Sequence, residues 1–221
     1  MLGLVGNFLV IYVIITRDGM RTKTNVMLFN LALADVLFLL SCPHYTAYRA
    51  AHATLHLGSS AFDQVLCKSV TCILYVTAYV TIYTLVLIAV VRYVGIVCFK
   101  LSRFITRTTL VLSSCGLWIT MCAANSPIIF AYRMIAFNTT EWCQTDSRRI
   151  VDTTFFTFAY FLPLAVIALC SIGIWRHVRR NVMTSQRESR AGQAKAEWLL
   201  VAVVAAFAVC WLPMYLMLLV D

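Results

Sequence analysis

Long apolar stretches set the pattern of hydrophobic and polar positions along this 221-residue chain. A membrane-crossing helix needs roughly 20 apolar residues to cover about 30 Å of hydrocarbon. Five stretches reach that length, and Asp35 is the one charged side chain inside them. The pattern predicts helical spans at about 1–16, 24–48, 68–98, 108–132, 152–178 and 195–220.

The first stretch is shorter than a complete span. Its 16 residues reach only about 24 Å at a helical rise of about 1.5 Å per residue. A signal peptide is the alternative, but the stretch has no basic start and Gly6-Asn7 interrupts its apolar core. We expect it to be the inner part of a longer first helix.

Composition supports a membrane protein. Hydrophobic residues make up 62% of the chain and charged residues 12%, with a mean hydropathy of +0.84. A soluble domain carries roughly twice that share of charged residues. The sequence contains no Gly/Ser linker, internal repeat or low-complexity tract, so we expect one all-α membrane domain over residues 1–221.

The net charge is +9, and its distribution along the chain indicates membrane topology rather than a nucleic-acid-binding surface. Lys and Arg number 13 in residues 17–23, 92–107 and 176–197, against 5 in residues 49–68 and 133–152. The positive-inside rule makes the first set cytoplasmic and the N-terminus extracellular. Attraction to lipid headgroups explains the basic loop at 179–197, with contacts to a specific partner as the alternative. No nucleic acid is expected as a partner.

Two features fit this orientation. Asn138-Thr139-Thr140 is a glycosylation sequon, which has meaning only on the lumenal side. Cys67 and Cys143 fall at predicted outer edges, where thiols meet an oxidising compartment. We expect free thiols at the other seven cysteines, which are at positions 42, 72, 98, 115, 122, 170 and 210.

Asp35 is the sharpest single chemical signal. An ionisable side chain in mid-membrane costs several kcal/mol, so it must face the bundle interior beside polar partners. Asn7 and Thr81 are the candidates. One interpretation is a site for a small cation or water, and the alternative is a polar cluster that only fixes helix packing.

Two groups, one at the end of the third span and one within the last span, each have a functional and a plain interpretation. Arg92-Tyr93 lies where the third span meets the cytoplasm, where an Arg can simply extend to the interface. Phe207, Trp211 and Pro213 lie in the last span, where proline kinks a helix and a buried Trp is either a two-position switch or ordinary core. Prolines at 127 and 163 predict kinks in the fourth and fifth spans.

Together these residues, in this order and spacing, resemble the rhodopsin-like G-protein-coupled receptors. The match uses Gly6-Asn7, residues 31–35, Cys67, Arg92-Tyr93, Trp118, Pro163, Phe207 and residues 210–213. Within that class, residues 24–30, 76–79, 83–87 and 206–213 are similar to the galanin and allatostatin-A neuropeptide receptors. The resemblance implies a seven-transmembrane receptor bundle with about six helices present, a partial helix one and no helix seven.

The resemblance also implies roles for individual residues. Cys67 and Cys143 would form a disulfide that ties the third span to the second outer loop. Asp35, Asn7 and Thr81 would form a network with a sodium ion and water, and no other cofactor is implied. Arg92 with Tyr93 would meet a heterotrimeric G protein at the plasma membrane. Phe207, Trp211 and Pro213 would relay rotation of the last span.

A peptide ligand would enter from outside, between the third, fifth and sixth spans. Leu74 stands where amine receptors place an Asp, so a small cationic amine has no counter-ion. The expected pocket consists of Thr71, Leu74, Tyr75, Ala78, Phe155, Ala159, Trp211, Met214, Tyr215 and Leu218. The four residues of the third span are three or four apart and therefore share one helix face.

Three positions depart from the family pattern, and two of them, Val91 and Ser171, keep an alternative open. Val91 replaces the acidic residue before Arg92, Ser171 replaces a Tyr, and Ser60 replaces a Trp of the first outer loop. The leading hypothesis is a receptor for an extracellular neuropeptide, and the alternative is a non-signalling decoy of the same family. A transporter would show repeats and several intramembrane charges. The sequence shows no metal-ligand cluster or nucleophile motif, so an enzyme is not expected.

Overall fold

The computed structural model describes residues 2–20, 22–55, 61–137 and 140–180, together with positions 202, 205, 208, 209 and 212. The helices are α1 (Leu2–Thr16), α2 (Lys23–Leu55), α3 (Ala61–Ile96), α4 (Arg107–Asn125), α5 (Ile128–Ala131), α6 (Arg148–Phe155) and α7 (Leu162–Arg180). Short 3-10 turns cover Asp18–Met20 and Phe99–Phe104, and a π-helical segment covers Phe156–Phe161. Two strands, β1 (Tyr132–Phe137) and β2 (Thr140–Thr145), complete the elements.

Four stretches of helix in the described residues are long and apolar enough to cross a membrane. They are Lys23–Pro43, Ala61–Ile96, Arg107–Ala131 and Arg148–Arg180. α1 is equally apolar but has only 15 residues. The all-α, multi-pass membrane class is therefore confirmed, although the span expected at 195–220 falls almost wholly outside the described residues. The prediction of a single domain stays a prediction.

Local side-chain interactions determine where the fourth span begins and ends. The Thr106 side chain caps α4 by accepting a hydrogen bond from the Thr109 amide, and the Thr109 hydroxyl oxygen accepts one from the Thr106 amide. This reciprocal pair satisfies amides that a helix start leaves unpaired. At the other end α4 stops at Asn125, and Pro127 leads into the single turn of α5. Pro127 thus accompanies a break in the helix, where the sequence predicted a kink.

The fifth span carries a different irregularity. Between α6 and α7 the chain widens into a π-helical segment at Phe156–Phe161, which ends just before Pro163. Proline has no amide hydrogen, so it cannot bond to the carbonyl of Ala159 four residues earlier. The α-helical ladder is therefore interrupted here, next to the wider turn. Inserted turns of this kind often mark functional sites.

The chain after α5 forms a β-hairpin that the sequence analysis did not predict. β1 and β2 pair antiparallel, from Tyr132 opposite Thr145 to Phe137 opposite Thr140. Met134 lies opposite Cys143 in this register. Among the described residues, this hairpin is the one sheet, and all other elements are helices or helical turns.

The chain packs as two compact units, Met1–Thr84 with Thr106–Arg148 and Leu85–Ile105 with Arg149–Asp221. In the first unit, Ala34 of α2 and Val80 of α3 are fully buried and pack with Trp118 of α4. In the second unit, Ile167 and Ile174 of α7 are buried. Many large apolar side chains elsewhere on the helices are exposed, as expected where lipid takes the place of water.

Candidate functional site

The hairpin is tied to the N-terminal end of α3 by a disulfide. Cys67 and Cys143 are bonded, with their Cα atoms 5.7 Å apart, so the predicted bridge is confirmed. Both cysteines are buried. Thr71, one turn further along α3, brings its hydroxyl to 3.6 Å from the Cys143 sulfur. The strand β2 is therefore held against α3 over a full helical turn.

Two further contacts fix β1 against the same helix. The Met134 amide donates a hydrogen bond to Gln64 Oε1 at 3.3 Å. The hydroxyls of Tyr75 and Tyr132 lie 3.0 Å apart, and their rings are tilted with centroids 6.1 Å apart. Residues from 64 to 75 of α3 thus carry the hairpin. Sequence reasoning missed Gln64 and Tyr132, because neither stands out without knowledge of the hairpin.

The residues expected to line the ligand pocket are placed as follows. On α3, Thr71 and Ala78 are buried, and Leu74 and Tyr75 are half-buried. Phe155 and Ala159 of the fifth span are also buried, in the second unit. The remaining four, Trp211, Met214, Tyr215 and Leu218, lie outside the described residues. The pocket as a whole stays a prediction.

Asp35 and Thr81 meet in the first unit. The Thr81 hydroxyl donates a hydrogen bond of 2.9 Å to Asp35 Oδ1 and so links α2 to α3. A carboxylate beside a hydroxyl oxygen suits a hard cation such as sodium, since hard cations take oxygen ligands. Asn7 donates its amide to the carbonyl of Gly3 in its own helix, at 2.9 Å. Its part in a network around Asp35 stays a prediction.

A second polar cluster lies in the same unit, and sequence reasoning missed it. Asn30 is buried in α2, donates to Thr84 Oγ1 of α3 at 2.7 Å and accepts from Trp118 Nε1 of α4 at 2.8 Å. Thr84 in turn donates to the Val80 carbonyl at 2.6 Å. The sequence signal that could have indicated this cluster is an Asn inside an apolar stretch, five residues before Asp35.

The C-terminal end of α3 packs against α7 within the second unit. Tyr93 lies beside Gly173, and a Cβ atom on Gly173 would come within 2.5 Å of the Tyr93 ring. Arg92, the other residue expected at the G-protein face, is half-buried. Neither observation tests coupling, which stays a prediction.

The predicted switch residues Phe207, Trp211 and Pro213 lie outside the described residues. Ala208, which follows Phe207 in the sequence, is described: the Tyr160 hydroxyl of the π-helical segment donates to its carbonyl at 3.1 Å. Tyr160 also stacks on Phe156, with centroids 5.6 Å apart. The fifth span is thus joined to Ala208, which is close in sequence to the expected switch.

The remaining sequence predictions concern single residues. Six of the seven other cysteines are free thiols, which agrees with the expectation; they are Cys42, Cys72, Cys98, Cys115, Cys122 and Cys170. Cys210 and the sequon residue Asn138 lie outside the described residues.

Comparison with known proteins gives one consistent result. Residues 6–221 match the sequence model of the 7 transmembrane receptor (rhodopsin family). The allatostatin-A receptor of Bombyx mori is 31% identical over 99% of this chain and 63% of its own length. Galanin receptor 2a of Danio rerio is 30% identical over 99% of this chain and 61% of its own length. Somatostatin receptor type 1 of Rattus norvegicus is 31% identical over 100% of this chain and 58% of its own length. The chain thus spans about three fifths of the length of these relatives, and each of them is named as a receptor.

Proposed function

This chain belongs to the rhodopsin family of seven-transmembrane receptors, and we propose that it is the membrane part of a receptor for an extracellular neuropeptide. Binding of the peptide would be transmitted to a heterotrimeric G protein on the cytoplasmic side. The relatives that support a peptide ligand are the receptors named for allatostatin-A, galanin and somatostatin. The comparisons give no support to a non-signalling decoy.

The disulfide-anchored hairpin is the observation that carries this proposal. It places β1 and β2 beside Thr71 and Tyr75, two of the residues expected to meet ligand. A rigid platform of aromatic and apolar groups with a few hydroxyls suits peptide side chains, since binding sites combine apolar walls with a small number of orienting polar groups. Leu74 between them supplies no carboxylate to hold a small amine.

The outer rim also carries charge. Arg133 of β1 forms an ion pair with Asp146, just after β2, and both side chains are more than half exposed. An exposed pair contributes little to stability, about 0–1 kcal/mol. It is therefore available to exchange partners with a charged peptide, in the orientation that puts the N-terminus and this hairpin outside the cell.

The test is a chimera in which residues 1–221 replace the matching segment of the Bombyx mori allatostatin-A receptor. Cells expressing the chimera at the surface are exposed to allatostatin-A, galanin and somatostatin peptides, and G-protein activation is recorded. We expect at least one peptide to activate it. A chimera that reaches the surface and responds to none of the three would overturn the proposal.

The disulfide provides a matched pair of variants. Cys143→Ser should remove or strongly reduce the response, because the hairpin loses its bond to α3. Removing a native disulfide typically costs about 2–5 kcal/mol. Cys98→Ser changes a free thiol and should leave the response unchanged. Equal responses from both variants would show that the platform does not contribute to peptide recognition.

A further inference from the structure

The segment between α3 and α4 carries hydroxyl groups among basic side chains. Residues 92–107 contain four Lys or Arg and no Asp or Glu, and the positive-inside rule assigns them to the cytoplasm. The hydroxyls belong to Ser102, Thr106, Thr108 and Thr109. Protein kinases distinguish their substrates partly by charge pattern, so each hydroxyl in or beside this basic segment is a candidate acceptor of phosphate.

Backbone conformation distinguishes Thr106 from the other three. Thr106 is exposed and has an extended backbone, with φ −98° and ψ 166°. Thr108 and Thr109 lie in the first turn of α4, and Ser102 lies in the 3-10 turn Phe99–Phe104. A groove that contacts the acceptor and the residues before it needs them spread along the chain, at about 3.3 Å per residue. A helix, with about 1.5 Å per residue, does not present them in that way.

The 3-10 turn before Thr106 is held only weakly. None of the residues of Phe99–Phe104 is buried, and Cys98, which precedes the turn, provides no side-chain cap. Phe99 and Phe104 are 79% and 61% exposed. Segments with few buried contacts open locally at a small cost in free energy. The chain before Thr106 can therefore extend into the groove of an enzyme while α3 and α4 stay folded.

Two side chains before Thr106 supply recognition groups. Leu101 and Arg103 precede it by five and three residues, so they lie on the same side of an extended chain. Both are exposed. The Arg103 guanidinium lies over the Phe104 ring, 4.8 Å from its centroid. A cation–π contact at an exposed site is weak, so the guanidinium can exchange the ring for carboxylates, which bind it more strongly. An apolar pocket beside an acidic patch fits this pair.

We propose that Thr106 is phosphorylated by a cytoplasmic protein kinase whose substrate groove is acidic. The Thr106 oxygen, which accepts from the Thr109 amide at 3.1 Å in the unmodified protein, attacks the γ-phosphorus of MgATP. The bond to the leaving ADP oxygen breaks, and the hydroxyl proton passes to the catalytic Asp of the kinase. A phosphate carries a charge of about −1.5 to −2, so it removes close to half of the positive charge of residues 92–107. The site requires the orientation of the proposed receptor but not its peptide.

The test incubates the purified 221-residue chain in detergent with MgATP and a calmodulin-dependent protein kinase, activated with calcium and calmodulin. This kinase selects an aliphatic and a basic residue before its acceptor. Mass spectrometry of proteolytic fragments locates the phosphate, because Ser185 and Ser189 also lie near basic residues. We expect phosphate at Thr106. A chain without phosphate at Thr106, in a reaction that phosphorylates a standard peptide substrate to completion, would overturn the proposal.

Matched variants test the recognition of Thr106. Arg103→Gln should slow its phosphorylation about tenfold or more, since a charge-assisted contact to the kinase is lost. Lys100→Gln removes another exposed charge of the same segment and should leave the rate unchanged. Thr106→Ser keeps the hydroxyl and should still be phosphorylated. Both charge variants should unfold at the temperature of the wild type, because the altered side chains are exposed. Equal rates for Arg103→Gln and Lys100→Gln would show that the segment is not recognised as proposed.

Discussion

At the residue scale, the Asn30 side chain uses both ends of its amide to join three helices. Its nitrogen reaches Thr84 and its oxygen accepts from Trp118, and the residue is 5% exposed. Hydrogen bonds between membrane helices are worth about 0.6 kcal/mol on average, with larger values up to roughly 2 kcal/mol. A single buried amide of this kind therefore fixes the relative positions of α2, α3 and α4 in the first unit.

Asn30→Leu should lower the free energy of unfolding by about 1–3 kcal/mol, because the N–H of the half-buried Trp118 is left without an acceptor. Thermal unfolding in detergent measures the change. Asn125→Leu is the control, since Asn125 is buried to a similar degree but bonds only to Met121 of its own helix. In a Trp118→Phe background the cost of Asn30→Leu should shrink. Strictly additive losses would contradict the coupling between the two side chains.

The Asp35–Thr81 pair leads to a second prediction at this scale. If the carboxylate is the anionic ligand of a sodium ion, Asp35→Asn should abolish the dependence of agonist affinity on sodium in the chimeric receptor. Thr81→Val removes the hydroxyl that bonds to Oδ1 and should weaken the dependence without abolishing it. Agonist binding is measured in sodium and in a bulky organic cation at equal ionic strength. Sodium dependence that survives Asp35→Asn would place the ion elsewhere.

At the scale of elements, the close approach of α3 and α7 depends on a glycine. A Cβ on Gly173 would meet the Tyr93 ring at 2.5 Å, closer than atoms in real structures approach. Gly173→Ala should therefore push the ring aside and destabilise the protein by about 1–3 kcal/mol, partly offset by the better helix propensity of alanine, about 1 kcal/mol. The net result is a lower unfolding temperature.

Gly116 of α4 is the matched control, because no atom lies within 4 Å of the position of its missing Cβ. Gly116→Ala should raise the unfolding temperature or leave it unchanged. Combining Gly173→Ala with Tyr93→Ala should make the glycine substitution neutral or favourable. If Gly173→Ala behaves like Gly116→Ala in the wild-type background, the contact does not set the approach of the two helices.

The helices and strands also show how much of the structure could be predicted from the sequence. Uncharged stretches of 20 or more residues predicted the membrane helices, because hydrocarbon enforces both apolarity and length. Outer-edge placement singled out Cys67 and Cys143, and the family resemblance paired them. The hairpin escaped prediction, since its strands depend on bonds to α3 through Gln64 and Tyr75 rather than on their own pattern. The Asn30 cluster escaped for the same reason: its partners Thr84 and Trp118 are distant in sequence.

At the scale of the whole molecule, function requires a balance between resting and active states. Two of the positions at which this chain departs from the rhodopsin-like pattern, Val91 and Ser171, lie in the second unit. A carboxylate before Arg92 would restrain it with a contact worth roughly 1.5–3 kcal/mol, and valine cannot make that bond. Serine lacks the reach of the tyrosine that supports the active state. Since about 1.4 kcal/mol shifts an equilibrium tenfold, we expect the loss of the contact at Val91 to change signalling.

The two departures have opposite consequences, and we expect them to offset each other, with low basal and low stimulated signalling in the chimeric receptor. Val91→Asp should then lower basal G-protein activation further, and Ser171→Tyr should raise the stimulated response by up to about tenfold. The double variant should combine low basal activity with a strong peptide response. Ile172→Val, a neighbouring exposed position on α7, is the control for changes of expression. If Val91→Asp leaves basal activity unchanged both alone and with Ser171→Tyr, Arg92 is not held by the residue before it, and the balance is set by other contacts.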